Sequence, residues 1–415
     1  MDTQNVKSLT HNKANPFHGS LHWSMTDKIR LFTIGLILLP IRAAAMLIIF
    51  MFGGLVGFLS NFGTNNEVEP EPYQGYRRTG QRIISKLGRA ITFVMGFHHI
   101  KTKGKLASSK EAPVVVIAPH SHFMDGPITA GLGSLTFMSR KENDLVPIIG
   151  QAVRALQPIY VKREKRSSKD DTVKEIRRRA QAVGAWPPIC VFPEGTCTNG
   201  ECLITFKTGA FSAGVPVQPV LYRYQEDFYL KCGSWTWISP PTWKLLVSLL
   251  TRINNVVEIE YLPVYKPNEE ERANAILYAN NVRKVMASAL GVPTFDHSFE
   301  DCRLMLEAHS KGLPMEAGLV EYSKISLDLG LNTDRLKELL GHFANIDINK
   351  DGLVTFDEFS VYLCSVDKET ARSIFKKIDK GQRGFIDFKT FVYGVTKEEF
   401  PEFNFSEFSR NSHVK

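Results

Sequence analysis

Residues 114–127, VVVIAPHSHFMDGP, decide the fold and carry the first chemical signal. Val114–Ala118 is a run of five apolar residues, four of them β-branched, which reads as a strand buried on both faces. Strands of that kind belong to a mostly parallel sheet covered by helices. Pro119 ends the run, and His120 and Asp125 follow. On one regular helix residues at that spacing point about 140° apart. They meet only across a turn, and Pro119 with Gly126-Pro127 makes this segment irregular. An aspartate bound to one imidazole nitrogen fixes the tautomer and stabilises the imidazolium. The other nitrogen can then take a proton from an alcohol. The chain has no GxSxG serine elbow, so direct attack by a bound hydroxyl on a thioester, assisted by His120, fits better than a covalent enzyme intermediate.

Working outward, three further stretches sit at candidate strand ends. Ile189–Phe192 runs into VFPEGTCTN (191–199), where Gly195 amides and the Thr196 hydroxyl suit phosphate oxygens. Glu194, an anion, could orient a hydroxyl or a nearby arginine instead. PIYVKR (158–163) places Arg163 after the strand Ile159–Lys162, where a guanidinium could clamp phosphate with two hydrogen bonds. GVPVQPV (214–220) holds two prolines in an apolar strand; it reads either as an edge strand or as acyl-chain contact. Val257–Leu262 is a fifth strand, and helices are expected at 76–103, 169–184 and 271–290.

Near the N-terminus, Leu31–Leu59 is almost wholly apolar, interrupted by Pro40 and Arg42. A bilayer core needs about 20 apolar residues in a helix. The stretch therefore reads as one span kinked at Pro40, or as a helical hairpin with Arg42 snorkelling or facing protein. Comparable basic charge on both flanks favours the hairpin. Residues 1–27 are polar and do not read as a secretory signal. The net charge of +8 and pI of about 9.0 suit an anionic membrane surface. No zinc-finger spacing or arginine-rich recognition helix points to nucleic acid. Six irregularly spaced cysteines argue against a disulfide framework and for a reducing compartment.

Beyond about residue 300, DINKDGLVTFDE (347–358) fills the twelve-residue EF-hand pattern. Asp347, Asn349 and Asp351 supply side-chain oxygens, Gly352 the turn, Leu353 a backbone carbonyl, Thr355 a water-bridged contact and Glu358 two oxygens. Leu336, Leu339, Leu340 and Phe343 form the apolar stripe of the entering helix. A second loop, DKGQRGFIDFKT (379–390), has Gly, Arg and Thr at its third, fifth and twelfth positions. It reads as a partner without calcium that pairs through Val354 and Ile386. Asn404-Phe-Ser406 is a glycosylation sequon, unused if the C-terminus is cytosolic.

From about residue 30 to 395 the chain resembles the glycerolipid acyltransferases, and within them the EF-hand-containing lysophosphatidylcholine acyltransferases. His120…Asp125, the loop ending at Arg163, EGTCTN, VPVQPV, EIEYLPVYKPNEEE (258–271) and ALGVPTFDHSFEDCRLM (289–305) carry the resemblance. It implies His120 as general base, Asp125 as its support, and Arg163 with Glu194, Gly195, Thr196 and Cys197 as the site for the acceptor's glycerophosphate. Relatives carry Ser or Thr where His122 stands, and often an aromatic at Met124; a second imidazole beside the base could alter the pH profile.

The expected architecture is an α/β acyltransferase domain (76–300) with a mostly parallel sheet. A membrane-embedded segment (28–62) precedes it, an all-α EF-hand pair (301–395) follows, and polar ends (1–27, 396–415) flank the whole. The expected reaction moves an acyl group from acyl-CoA to a lysophospholipid, with calcium in the EF-hand and no catalytic metal. Lysophosphatidic acid or lyso-platelet-activating factor are alternative acceptors; an inactive calcium-sensing membrane adaptor and a hydrolase are the rival classes. The expected location is the endoplasmic reticulum membrane with the site facing the cytosol, the Golgi and lipid droplets being alternatives.

Overall fold

The computed structural model describes residues 15–19, 21, 23–64, 70–161, 166–225, 234–363 and 366–397. Arg163, Cys232, Cys364 and the Asn404 sequon lie outside them. The described residues divide into two compact units, 16–294 and 295–397, Asn15 belonging to the second.

The larger unit begins with α1 (Met25–Asn61), a single helix of 37 residues with a π-helical turn at Leu31–Gly35. Ser24 caps it by accepting the Asp27 N–H, while the Asp27 carboxylate accepts from the Ser24 backbone. The hairpin favoured from flank charge is not formed. Pro40 forfeits one backbone bond, yet the helix runs on through it. Arg42 does not bend the chain because its guanidinium is absorbed by protein. It donates to the Leu250 and Arg252 carbonyls at 2.7 and 2.6 Å and to Ile253 at 3.3 Å. At 1.5 Å per residue the helix is about 55 Å long, enough to cross a bilayer. Only 11% of its most apolar stretch is buried, and Phe32, Ile37, Leu47 and Ile48 are exposed.

Helix α2 (Gly75–Val94) packs along α1, and Gly80 allows it: a Cβ there would come within 2.0 Å of Ser60 Oγ. The sheet and its connections follow: β1 (Ile100–Lys103), β2 (Val114–Ala118), α3 (Asp125–Ala130), β3 (Thr136–Arg140), α4 (Ile149–Ala155), β4 (Ile159–Val161), α5 (Arg166–Gln181), β5 (Ile189–Val191), β6 (Val217–Gln225), α6 (Thr242–Leu250), β7 (Val256–Tyr261), α7 (Glu269–Ala273) and α8 (Ala275–Leu290). The strand order is β1-β7-β6-β2-β5-β3-β4, parallel except for β6 against β7. β2 lies inside, all five residues buried, its alternate side chains facing two cores. Val114, Val116 and Ala118 meet Ile176, Phe211 and Met286; Val115 and Ile117 meet Phe97, Met124 and Leu249.

Three sequence expectations need correction. The helix expected over 76–103 ends at Val94, and the last four residues of that range form the polar strand β1 (IKTK); β3, short and mixed (TFMSR), was not expected as a strand. β6 is central, not an edge. Backbone N and C=O of one strand residue point the same way, and the Pro219 carbonyl accepts the Leu262 N–H. The missing Pro219 donor thus faces β7 one residue before that ladder begins at Val220, and costs no rung. The 271–290 helix is two: Asn274 ends α7 and caps α8 by accepting from Ile276 and Leu277.

The smaller unit comprises α9 (Phe299–Ser310), α10 (Tyr322–Leu329), α11 (Thr333–Ile346), β8 (Leu353–Thr355), α12 (Phe356–Tyr362), α13 (Lys368–Ile378), β9 (Phe385–Asp387) and α14 (Phe388–Lys397). Leu336, Leu339, Leu340 and Phe343 of α11 are buried with Phe359, Phe375, Phe388 and Phe391. β8 and β9 pair antiparallel, Val354 opposite Ile386.

Candidate active site

The site is assembled where β2 and β5 end. Their parallel register, Val116 opposite Val191, delivers the next residues of both strands to one rim. His120 leaves β2 and Asp125 opens α3, with the turn of Ser121–Met124 between them. His120 Nδ1 lies 2.6 Å from Asp125 Oδ2, the same oxygen that accepts the Ser121 and His122 N–H groups at 3.0 Å each. Asp125 is wholly buried, while 23% of the His120 side chain is exposed. The His120 ring stacks on Phe192 at 4.2 Å. Burial pulls this imidazole down. Hydrogen bonds to Asp125 and Cys197, with their charges, outweigh that and raise it to about 10.

The loop after β5 holds the histidine's backbone rather than its ring. Glu194 Oε1 accepts the His120 N–H at 2.9 Å, and the His120 carbonyl accepts the Thr198 N–H at 2.8 Å. Glu194 therefore departs from the expectation of acceptor binding: it has no exposed surface. Burial pushes its carboxyl up to about 7 against the hydrogen bonds from the His120 and Ile204 backbone and Thr198. Gly195 stands at φ +67°, with the Lys207 chain packed over it; a Cβ would meet Lys207 Cε at 2.7 Å. Thr196 accepts from the Trp237 indole at 2.7 Å, and Cys197 is half-buried. Arg163 lies outside the described residues, so its place in this cluster is not given.

His122 is held away from solvent by aromatic rings. It is buried, stacked between Phe123 (4.7 Å) and Tyr224 (4.8 Å), and its Nδ1 accepts the Met124 N–H. Burial pulls it down to about 4, with Asp125 raising and Arg252 lowering it, so it is neutral at physiological pH.

Sequence reasoning missed several contributors. Tyr224 donates its hydroxyl to Asp125 Oδ1. Strand alternation puts Tyr224 on the face of Tyr222, but no pattern in the sequence names Asp125 as its partner. The polar residues before α1 also matter: Phe17 is buried, the Pro16 carbonyl accepts the Asn199 N–H, and His18 bridges to Ile238. No periodicity marks so short a strap.

An apolar cavity of about 280 Å³ opens beside α3. Phe50 of α1, Leu87 and Ile91 of α2, Gly126 and Pro127, and Ala152 and Leu156 near α4 line it, so its wall begins at the residue after Asp125.

In the smaller unit, Asp347 Oδ2 accepts the Gly352 N–H, Asn349 Oδ1 that of Asp351, and Asp351 Oδ1 that of Leu353. Glu358 accepts from the Asn349 and Thr355 backbone. Asp347 Oδ1 is buried without a hydrogen-bond partner, which suits a cation inside this loop. Among the described residues no three His, Cys, Asp or Glu side chains gather as they would around a metal ion. In the second loop Arg383 donates to Asp387 and Thr390 at 2.9 and 2.8 Å.

Residues 99–223 match the family described as Acyltransferase. Lysophosphatidylcholine acyltransferase 2 of Mus musculus is 43% identical over 385 residues, covering 92% of this chain and 70% of that one. The Homo sapiens protein of that name is 42% identical over 383 residues, with the same coverage. Lysophosphatidylcholine acyltransferase 1 of Mus musculus is 37% identical over 384 residues, covering 92% and 71%. With the His120–Asp125 pair at the strand ends of an α/β sheet, this chain belongs to the lysophosphatidylcholine acyltransferase family.

Proposed function

We propose that this acyltransferase moves a fatty acyl group from acyl-CoA to the glycerol hydroxyl of a lysophospholipid, lysophosphatidylcholine first among them, with His120 as general base. The observation that carries the reading is the 2.6 Å bond from His120 Nδ1 to a buried Asp125 on a ring that stays partly exposed. The ring nitrogen not held by Asp125 takes the acceptor's hydroxyl proton as that oxygen attacks the thioester carbonyl. The carbon–sulfur bond breaks, and the CoA thiolate leaves with the proton returned from the imidazolium. Asp125 stabilises the charged intermediate state of the ring.

Thr196 and the amides around Gly195 hold the acceptor's phosphate with Arg163, and the Lys207 ammonium, carried on the chain above Gly195, adds charge. Glu194 supports them from below by fixing the His120 backbone. The apolar cavity beside α3 takes the acyl chain. Residues 28–62 embed in the membrane where acceptor and product reside, and 76–300 form the catalytic domain. Acyl-CoA is water-soluble, so the active site faces the cytosol, at the endoplasmic reticulum membrane. Residues 301–395 form an EF-hand pair that takes calcium at Asp347, Asn349, Asp351, Leu353, Thr355 and Glu358.

The test is acyl transfer by purified protein in detergent across a panel of lysophospholipids. His120→Ala is expected to lose about 10³-fold or more in rate with its thermal midpoint retained. Wild-type rates in the variant would refute the general-base role. Release of free fatty acid without acceptor product would instead make the protein a hydrolase.

A further inference from the structure

We propose that Tyr224 is a positioning residue for acyl transfer, acting on His120 through the Asp125 carboxylate; this rests on the reading of His120–Asp125 as the base pair. β6 presents Tyr222 and Tyr224 on one face, because every second strand residue points the same way. Two residues along a strand advance about 6.7 Å, and four along a helix about 6 Å. The strand step therefore matches positions 125 and 129 of α3. Both rungs are occupied. The Tyr222 and Thr129 hydroxyls lie 2.8 Å apart, Thr129 donates to the Asp125 carbonyl at 2.6 Å, and Tyr224 donates to Asp125 Oδ1.

The two carboxylate oxygens thus have separate duties. Oδ2 takes His120 and two backbone amides; Oδ1 takes Tyr224. A carboxylate held at both oxygens cannot rotate about Cβ–Cγ, so Oδ2 stays in line with the imidazole. Tyr224 is itself fixed, its ring stacked on His122 and edge-on to Phe97 at 6.2 Å. The ionisable groups around the pair are Glu194 behind the His120 backbone, Cys197 beside the ring, Tyr222 next to Asp125 and Arg252 toward His122.

Removing the phenol hydroxyl concentrates carboxylate charge on Oδ2 and leaves the group held through that one oxygen. The full-length Tyr224→Phe protein in detergent is expected to lose about tenfold in kcat, as for a hydrogen bond to a charged group. KM for acyl-CoA and for lysophosphatidylcholine should stay within about twofold. The rising limb of kcat/KM should move up by about half a pH unit or more, because a less neutralised carboxylate holds the imidazolium proton more tightly. In an Asp125→Asn background the same change should cost less than about twofold, since the carboxylate charge through which Tyr224 acts is gone. Equal cost in both backgrounds, an unmoved limb, or loss of cooperative melting in Tyr224→Phe would each make Tyr224 a packing residue and overturn the proposal. Transfer surviving His120→Ala would instead sink the general-base reading. An inactive His120→Ala beside a wild-type Tyr224→Phe would reject only the role of Tyr224.

Discussion

His120 and His122 lie two positions apart and are driven in opposite directions by their surroundings. His122 is closed in by Phe123 and Tyr224, and burial pulls it down to about 4. His120 also suffers burial, yet Asp125 and Cys197 raise it to about 10. A base works only when deprotonated. A raised pKa therefore predicts that kcat/KM climbs with pH above 6.5 through His120's own titration, rather than levelling at neutrality; a pH–rate profile checks this. Asp125→Asn removes the carboxylate that raises the ring, so its limb should fall to lower pH while the maximal rate drops. His122→Phe keeps a flat ring between its neighbours and removes a group that is already neutral. The midpoint of its profile is expected to match wild type. A midpoint displaced by more than about 0.3 unit would show that His122 titrates with the base.

At the scale of elements, the sheet explains why residues so far apart in sequence converge. β2 and β5 are hydrogen-bonded neighbours, so the turns that follow them share one rim, and Glu194 can reach the His120 backbone across it. Helix α1 is tied to this unit through a buried polar contact. Arg42 satisfies the carbonyls at and just beyond the end of α6, which would otherwise be orphaned at a helix C-terminus. Arg42→Met keeps a long apolar chain but strands those carbonyls, at about 1–3 kcal/mol for each buried unsatisfied group. The thermal midpoint in detergent should fall while the protein remains in the membrane fraction. An unchanged midpoint would mean that water replaces the guanidinium at no cost.

At the scale of the whole molecule, the proposed acyl-transfer and calcium sites fall in different units. In the smaller one Arg383 bonds to the ninth- and twelfth-position residues of its loop, Asp387 and Thr390, and so puts a fixed positive charge where calcium would need oxygens. Among the described residues this leaves the 347–358 loop as the candidate for an ion, and titration calorimetry on the full chain should give one calcium per molecule. Glu358→Gln should abolish that binding. Calcium at about 100 times its Kd would stabilise the wild-type unit by about 2.7 kcal/mol, and melting curves of the variant should lose that response. Two calcium ions per chain, or an unaltered response in Glu358→Gln, would count against the assignment. Acyl transfer measured with and without calcium then tells whether the ion acts on catalysis.

Much of this protein is local in origin and was legible residue by residue. VVVIA is buried on both faces because it has no polar face to offer solvent. His120 and Asp125 meet because proline and a turn, rather than a helix, separate them, and the stripe on α11 is buried because its residues recur at helical spacing. What lacked a local pattern was decided by packing. The polar β1 is a strand because β7 pairs with it, and β6 is central because Pro219 turns its missing donor where no rung is needed. Arg42 can lie inside α1 because it finds carbonyls more than 200 residues away. Glu194 points inward, and Tyr224 reaches Asp125, only because the sheet brings distant strand ends to one rim. Periodicity and composition record what a residue needs from its neighbours in sequence; which distant partner meets that need is fixed when the sheet closes around it.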